Sequence, residues 1–388
     1  MAGLFARDQA RAVARQRPDW RISVGLWGHH DGALSARSAA GSARALAWRL
    51  GARPGWRDTP GPLHETLTPR LSWTLALAGG GVRGLLSASR RNLQQAQQRF
   101  GRINLIHAHV GFPAGWVAAQ LATDVGCPYV LTEHMSPFPF PSLRQRDGRL
   151  RPALRLAFER AAATVAVSPA LAAEIRAQGL PCTDVIANGV DETRFVPTAS
   201  AAAGTAAVTA GADPFVLFTL GALVPQKGVD VLLRALSLLQ APQVELHVGG
   251  AGPERAALQR LAAQLGVADR VRWLGALRPE DTPAHHARCS AFVLASRHET
   301  FGVVLAEALM CGKPVVATRC GGPEAIVNAG NGLLVPAEDA ASLAAAIDHL
   351  VANPARYNAL HIRADAVARF GFAAVGSQLA ALYERVVA

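Results

Sequence analysis

The sequence predicts an α/β protein built from two doubly wound parallel-sheet domains that face a cleft, and three observations carry this prediction. At 388 residues the chain is long enough for two domains of about 150 residues each. Runs of four to seven apolar, β-prone residues alternate with Ala/Leu/Arg segments of helical period through both halves, the pattern of parallel strands buried on both faces. Residues 198–213 are mostly Ala, Thr, Gly and Ser with no apolar period and read as a linker. The expected domains are therefore 1–197 and 214–371, joined by 198–213, with 372–388 as a closing helix.

In chain order, the strands expected in the first domain are 21–27, 104–108, 129–132, 164–167 and 184–187. Those of the second are 215–220, 244–248, 271–274, 291–295, 314–317 and 333–335. Residues 4–17 have helical character before any strand. A Rossmann-like domain normally opens on a strand and a Gly-rich turn, so its first strand is expected to be missing here, as a start further upstream would explain. Its loss would expose two strand edges and part of the core.

Half the residues are hydrophobic and 17% are charged, which excludes a disordered chain. The net charge of +11 lies wholly in residues 1–200, where 24 basic side chains face 13 acidic ones; residues 201–388 hold 15 of each. The first half is thus expected to meet something anionic. Only Lys227 and Lys313 are lysines; such an arginine-rich bias follows coding composition and gives no ground for a nucleic-acid partner. Five scattered cysteines without a C-x2-C pair point to a reduced, cytoplasmic chain without structural zinc. There is no opening apolar run with a cleavage site and no 18-residue apolar stretch, which argues against secretion and membrane spanning but leaves peripheral attachment open.

The richest chemistry follows the strand at 291–295. A polar loop carries Glu299, and Thr300-Phe-Gly then opens a helix containing Glu307. Free N–H groups and the positive dipole end of such a helix suit diphosphate oxygens. Glu307 is placed to accept two ribose hydroxyls; otherwise it is a solvated helix residue, and Glu299 a cap. Gly302 leaves room for phosphate to approach the backbone. Gly221 and Lys227 follow the strand at 215–220, again at a sheet edge. His134 follows the strand at 129–132 and can bond a sugar or stabilise developing positive charge; the competing role is structural. His109 ends another strand and stands equally between an acceptor-side and a core role. No D-x-D pair occurs, so no divalent metal is expected. Arg144, Arg146, Arg149, Arg151, Arg155 and Arg160 form a basic cluster, either a solvated helix face or a contact for an anionic membrane surface.

From Glu299 to Glu307, then Cys311-Gly-Lys-Pro-Val-Val-Ala and Gly321-Gly-Pro-Glu-Ala-Ile-Val, the sequence resembles the donor site of glycosyltransferase family 4. Thr132-Glu-His134, Asn188-Gly-Val-Asp191, Lys227-Gly228, Gly249-Gly-Ala-Gly and Asn331-Gly-Leu-Leu-Val-Pro336 extend the likeness over nearly the whole chain. The resemblance implies a GT-B fold whose last helix crosses back to the first domain, and a retaining, metal-independent hexosyltransferase with no cofactor. Its substrate would be a UDP- or GDP-linked sugar and its acceptor a glycan, a lipid-linked or a small molecule, in polysaccharide or glycolipid biosynthesis at the inner membrane face.

By the same resemblance Glu299 holds the donor sugar, Glu307 the ribose, Lys227 the diphosphate, and His134 the catalytic position, with Gly221, Thr300, Phe301 and Gly302 around the donor. One departure stands out: the family pattern has an arginine where this chain has Ala222. Arg297 and Arg278 are the substitutes considered. That departure and the expected missing strand keep a second class open, a catalytically weakened or non-enzymatic binding protein; a nucleotide-sugar 2-epimerase is a third reading.

Overall fold

The computed structural model describes residues 4–26, 33–34, 43, 50, 53, 55–58, 63–68, 72–73, 82–198, 214–241 and 243–388. Residues 199–213 of the expected linker lie outside the described residues. Two compact units are present. One comprises Met1–Val167, Ala172–Gly189 and Val375–Ala388; the other comprises Ser168–Leu171 and Val190–Ala374.

The first unit opens with helix α1 (Leu4–Gln16) and strand β1 (Ile22–Leu26), followed by β2 (Ala33–Leu34), β3 (Gly55–Asp58), β4 (Leu63–Leu67), β5 (Ser72–Trp73) and α2 (Val82–Phe100). β1 runs parallel to β4, which pairs antiparallel with β3; β2 and β5 form a separate parallel pair. The antiparallel β3–β4 ladder departs from the wholly parallel sheet expected. Its strands, Gly-Trp-Arg-Asp and Leu-His-Glu-Thr-Leu, mix charge with apolar residues and lack the continuous apolar run that marked the others.

A regular parallel sheet follows, in the order β6 (Ile106–His109), β7 (Tyr129–Glu133), β8 (Ala163–Ala166) and β9 (Asp184–Val185), with α3 (Trp116–Val125), α4 (Pro152–Glu159) and α5 (Pro169–Ala177) between its strands. Val130, Val165 and Ile186 of this region share a buried cluster with Val13 of α1 and with Val375, Leu379 and Leu382 of the C-terminal helix Phe372–Val387. α1 is therefore part of the core. A Cβ at Gly376 would lie 2.3 Å from the Ala12 carbonyl oxygen, so the two helices meet backbone to backbone.

The second unit is a six-stranded parallel sheet. In chain order its elements are β10 (Phe215–Leu220), α6 (Val229–Leu238), β11 (Val244–Gly249), α7 (Arg255–Gln264), β12 (Val271–Gly275), α8 (Thr282–Arg288), β13 (Ala291–Leu294), α9 (Val303–Met310), β14 (Val315–Arg319), β15 (Gly332–Pro336), α10 (Ala340–Ala352) and α11 (Ala359–Phe370). The strands lie in the order β12-β11-β10-β13-β14-β15, with Leu217 opposite Ala291 and Phe218 opposite Phe292 at the centre. Strand order reverses between β10 and β13, and the carboxyl ends flanking such a switch point are where open α/β sheets bind ligands. Phe218, Phe292, Leu246, Val316, Leu305 and Leu309 fill the core at 1% exposure or less.

All five cysteines are unbridged, and burial pushes the Cys289 and Cys311 thiols up to about 12. No helix among the described residues is long and apolar enough to cross a membrane. Leu379 is fully buried in the cluster joining both chain ends. Leu379→Ala should destabilise the first unit by about 2–5 kcal/mol, read as a lower denaturant midpoint for that unit's transition.

Candidate functional site

β10 and β13 release their chains side by side at the switch point. The β10 loop runs through Gly221 to Lys227-Gly228 and enters α6; the β13 loop runs from Ser296 to Gly302 and enters α9. Both helices start from a glycine in the left-handed region, Gly228 at φ 61° and Gly302 at φ 90°, and neither start has a side-chain cap. Two sets of first-turn N–H groups, with their dipole ends, thus open at neighbouring strand ends.

The loops are tied together. Arg297 N–H donates to the Gln226 carbonyl at 2.8 Å, and Gln226 Nε2 donates to the His298 carbonyl at 3.0 Å. A Cβ on Gly228 would lie 1.9 Å from the Ala295 oxygen, so close loop contact as well as φ demands glycine there. At Gly302 a Cβ would meet Leu305 and Leu294 at 3.3 and 3.4 Å. Its glycine therefore answers to backbone conformation; the space its missing side chain leaves faces leucines.

Lys227 Nζ donates to Glu299 Oε1 at 2.5 Å, and Ser296 Oγ donates to the same oxygen at 2.8 Å. The Lys227 stem lies along Gly221, 3.6 Å from where a Cβ would stand. Glu299 and Thr300 are buried, and the Glu299 backbone bridges to Gly321. Phe301 is buried edge-on against Phe370, which makes it a packing anchor for the loop. Gly221, Ala222 and Lys227 line a small recess with Leu223 and Gly249.

Both arginines considered in place of Ala222 hold carboxylates. Arg297 is forked onto Asp230, with contacts of 2.9 and 2.8 Å, and also holds Glu338 and the Pro225 carbonyl. Arg278 is paired with Asp281 and Glu280. Each guanidinium therefore has carboxylate partners that a phosphate would have to displace. In α9, Glu307 lies with its Oε2 3.3 Å from Nε2 of the buried His286.

The histidines form a second cluster, in the first unit. His109 at the end of β6 stands opposite Thr132 in β7, which brings His109 Nδ1 to 3.1 Å from His134 Nε2. His107 is bonded to the Tyr383 hydroxyl at 2.5 Å and to Thr132 Oγ1 at 2.8 Å. Phe5 of α1 stacks on His134 with ring centroids 5.3 Å apart and planes within 7°.

Glu133, which the sequence did not single out, is fully buried. Its carboxylate accepts the N–H groups of Gly111, His134 and Met135 at 2.8–2.9 Å. It pins the loops after β6 and β7 to each other and so fixes the His134 backbone. Burial raises its pKa against the pull of those three donors. Between His109 and Gly111, Val110 sits at φ 76°, a costly conformation for a β-branched residue. Ser296 was also missed, although its spacing three residues before Glu299 is a signal for a local side-chain bond.

Following the same polypeptide away from β7, Arg144, Arg146, Arg151 and Pro152 line an open recess of about 470 Å³. Arg144 is tied to the Gly148 carbonyl and Gln178, and Arg155 pairs with Glu159. Arg146 and Arg151 make no ion pair among the described residues.

Two α/β units, one with a lysine–carboxylate pair at its switch point, define a protein of the GT-B type. Residues 206–366 match the family model described as Glycosyl transferases group 1, and residues 56–194 match Glycosyltransferase Family 4. A D-inositol 3-phosphate glycosyltransferase of Thermobispora bispora is 32% identical over 351 residues, covering 84% of this chain and 80% of that protein. A GDP-mannose-dependent alpha-(1-6)-phosphatidylinositol monomannoside mannosyltransferase of Mycolicibacterium smegmatis is 38% identical over 184 residues. That match covers 45% of this chain and 48% of the relative, so the aligned part is about half the length of the mycolicibacterial protein. A crystal structure of Anabaena HepE in complex with UDP shares the fold, with a TM-score of 0.71 at 24% identity over 99% of this chain and 96% of that one. The chain belongs to glycosyltransferase family 4, a family of sugar-transferring enzymes.

Removal from water lowers the pKa of His109 from 6.5 to about 4 and those of His107 and His134 well below 6.5. Above about pH 6.5 these rings are neutral folded or unfolded. Below it the unfolded chain takes up protons that the folded one refuses, so stability falls as pH falls. Tm should therefore drop by a few degrees or more between pH 7 and pH 5, and His109→Asn should flatten that slope in a thermal melt series.

Proposed function

We propose that the protein is a retaining, metal-independent hexosyltransferase that takes a sugar from a UDP- or GDP-linked donor. The observation that carries this is the Lys227–Glu299 pair set between two uncapped helix starts at the β10/β13 switch point. A diphosphate placed there meets N–H donors and an ammonium, which stabilise the charge that grows on the leaving group. Glu299 then exchanges its lysine bond for donor hydroxyls, a charge-assisted contact that orients the sugar. Glu307 takes the ribose diol. His134, fixed by Glu133 and bonded to His109, supports the sugar and the positive charge developing at the anomeric carbon. No cofactor enters this scheme.

The acceptor proposed is a glycan or a lipid-linked molecule with an anionic part. Its support is the recess with Arg146 and Arg151 and the charge excess of the first half. The related enzymes named for inositol 3-phosphate and phosphatidylinositol monomannoside agree with that chemistry. The same arginines suit an anionic membrane surface, which supports the proposal of a cytoplasmic protein peripheral to the inner face, in polysaccharide or glycolipid synthesis.

A second reading, a weakened enzyme or nucleotide-binding protein without turnover, is favoured by one observation: Ala222 lines the recess beside Lys227, and Arg297 and Arg278 are committed elsewhere.

Turnover of UDP- and GDP-sugars, with and without acceptor, tests both readings. Lys227→Ala is expected to lower kcat/KM by about 10- to 100-fold, the equivalent of losing one hydrogen bond to a charged group. Glu299→Ala should fall at least as far, and full activity in that variant would overturn the assignment. Ala222→Arg should raise activity by up to about tenfold in a weakened enzyme and leave a non-enzymatic protein silent.

A further inference from the structure

His286 is an unusual residue for its place. It lies in α8 at 0% exposure, enclosed by aromatic rings: Phe195 and Phe218 edge-on at 5.7 and 5.1 Å, and Phe292 tilted at 5.1 Å. A leucine or phenylalanine would fill such a cage without stranding polar atoms, whereas neither imidazole nitrogen makes a hydrogen bond. The polar group it faces is the Glu307 carboxylate, with Nε2 and Oε2 3.3 Å apart. That is contact distance without hydrogen-bond alignment. Glu307 itself is 19% exposed, so its carboxylate stands between a buried donor on one side and solvent on the other.

We infer that His286 is a positioning residue for nucleotide binding: its Nε2–H engages Glu307 Oε2 and holds the carboxylate in the orientation that accepts the two hydroxyls of a ribose. This rests on the ribose role proposed for Glu307. A carboxylate on a helix surface turns freely about its last bonds, and a buried donor that bonds it as the ligand binds offsets part of that ordering cost. The donor is rigid because the cage leaves the ring no alternative place. A slight turn of the carboxylate as the diol binds converts the 3.3 Å contact into a formed hydrogen bond, and satisfies a nitrogen that is otherwise buried without a partner. The effect is confined to the sugar of the nucleotide. Base and diphosphate contacts do not pass through this pair.

The experiment is calorimetric titration of the full chain with UDP and GDP and with their 2′,3′-dideoxy counterparts, for the wild type, His286→Phe and Glu307→Gln. His286→Phe is expected to weaken the tighter ribonucleotide by about tenfold, the scale of one charge-assisted hydrogen bond. Binding of its dideoxy counterpart should stay unchanged. If Glu307→Gln abolishes the preference for ribose while His286→Phe keeps it, the role of His286 is overturned and the ribose site stands. If Glu307→Gln keeps the preference, or the wild type binds neither nucleotide, the ribose reading fails and this inference falls with it. Should His286→Phe not fold, side-chain ¹⁵N NMR of the wild type decides. A protonated Nε2 whose resonance moves on adding UDP or GDP supports the proposal, and an Nδ1–H tautomer or an unmoved resonance overturns it.

Discussion

The ion pair of Lys227 with Glu299 is the contact on which the second unit's chemistry depends. It joins the loops leaving β10 and β13, and each charge compensates the other in a place too enclosed for either to stand alone. In the donor-binding scheme proposed above, an anion would draw the ammonium to its own oxygens and leave the carboxylate for hydroxyl groups. Gly228 and Gly302 adopt left-handed φ values beside the pair, and Arg297, forked onto Asp230, helps hold the loops in register.

The first unit solves a different problem, holding polar rings at a strand edge. His107 is bonded to Tyr383 and Thr132, His109 and His134 are bonded to each other, and Glu133 ties their loops. The Phe5 ring covers one face of His134. A neutral imidazole cluster of this kind donates and accepts without carrying charge, which suits a site where charge develops only during reaction.

How far the sequence could be read varied with the physics of each part. The strands of the second unit were legible because most are short β-rich runs such as Phe215–Leu220 and Ala291–Leu294, set between segments of helical period as buried parallel strands are. Lys227 and Glu299 were legible through their place at strand ends. What stayed hidden depended on distance along the chain. Tyr383 meets His107 across 276 positions, and nothing local to either residue announces it. Glu133 looked like an ordinary charged neighbour of His134 because burial of a carboxylate shows only when its three N–H donors are in place. The pairing of Arg297 stayed hidden for the same reason, since Asp230 and Glu338 lie 67 and 41 residues away. The short β3–β4 ladder escaped because its few residues, Gly-Trp-Arg-Asp and Leu-His-Glu-Thr-Leu, show neither a run nor a clean period.

The closing helix places both ends of the polypeptide in one core, with Val13 near the beginning and Leu379 near the end sharing the same cluster. The ribosome therefore releases nearly all the material of the six-stranded unit before the other unit has its last layer. During synthesis the six-stranded unit can mature first, while the amino-terminal sheet waits for Val375, Leu379 and Leu382 to complete its cluster. Removing the helix from Val375 onward would take Leu379 and Leu382 out of the cluster and leave the six-stranded unit's own strands intact.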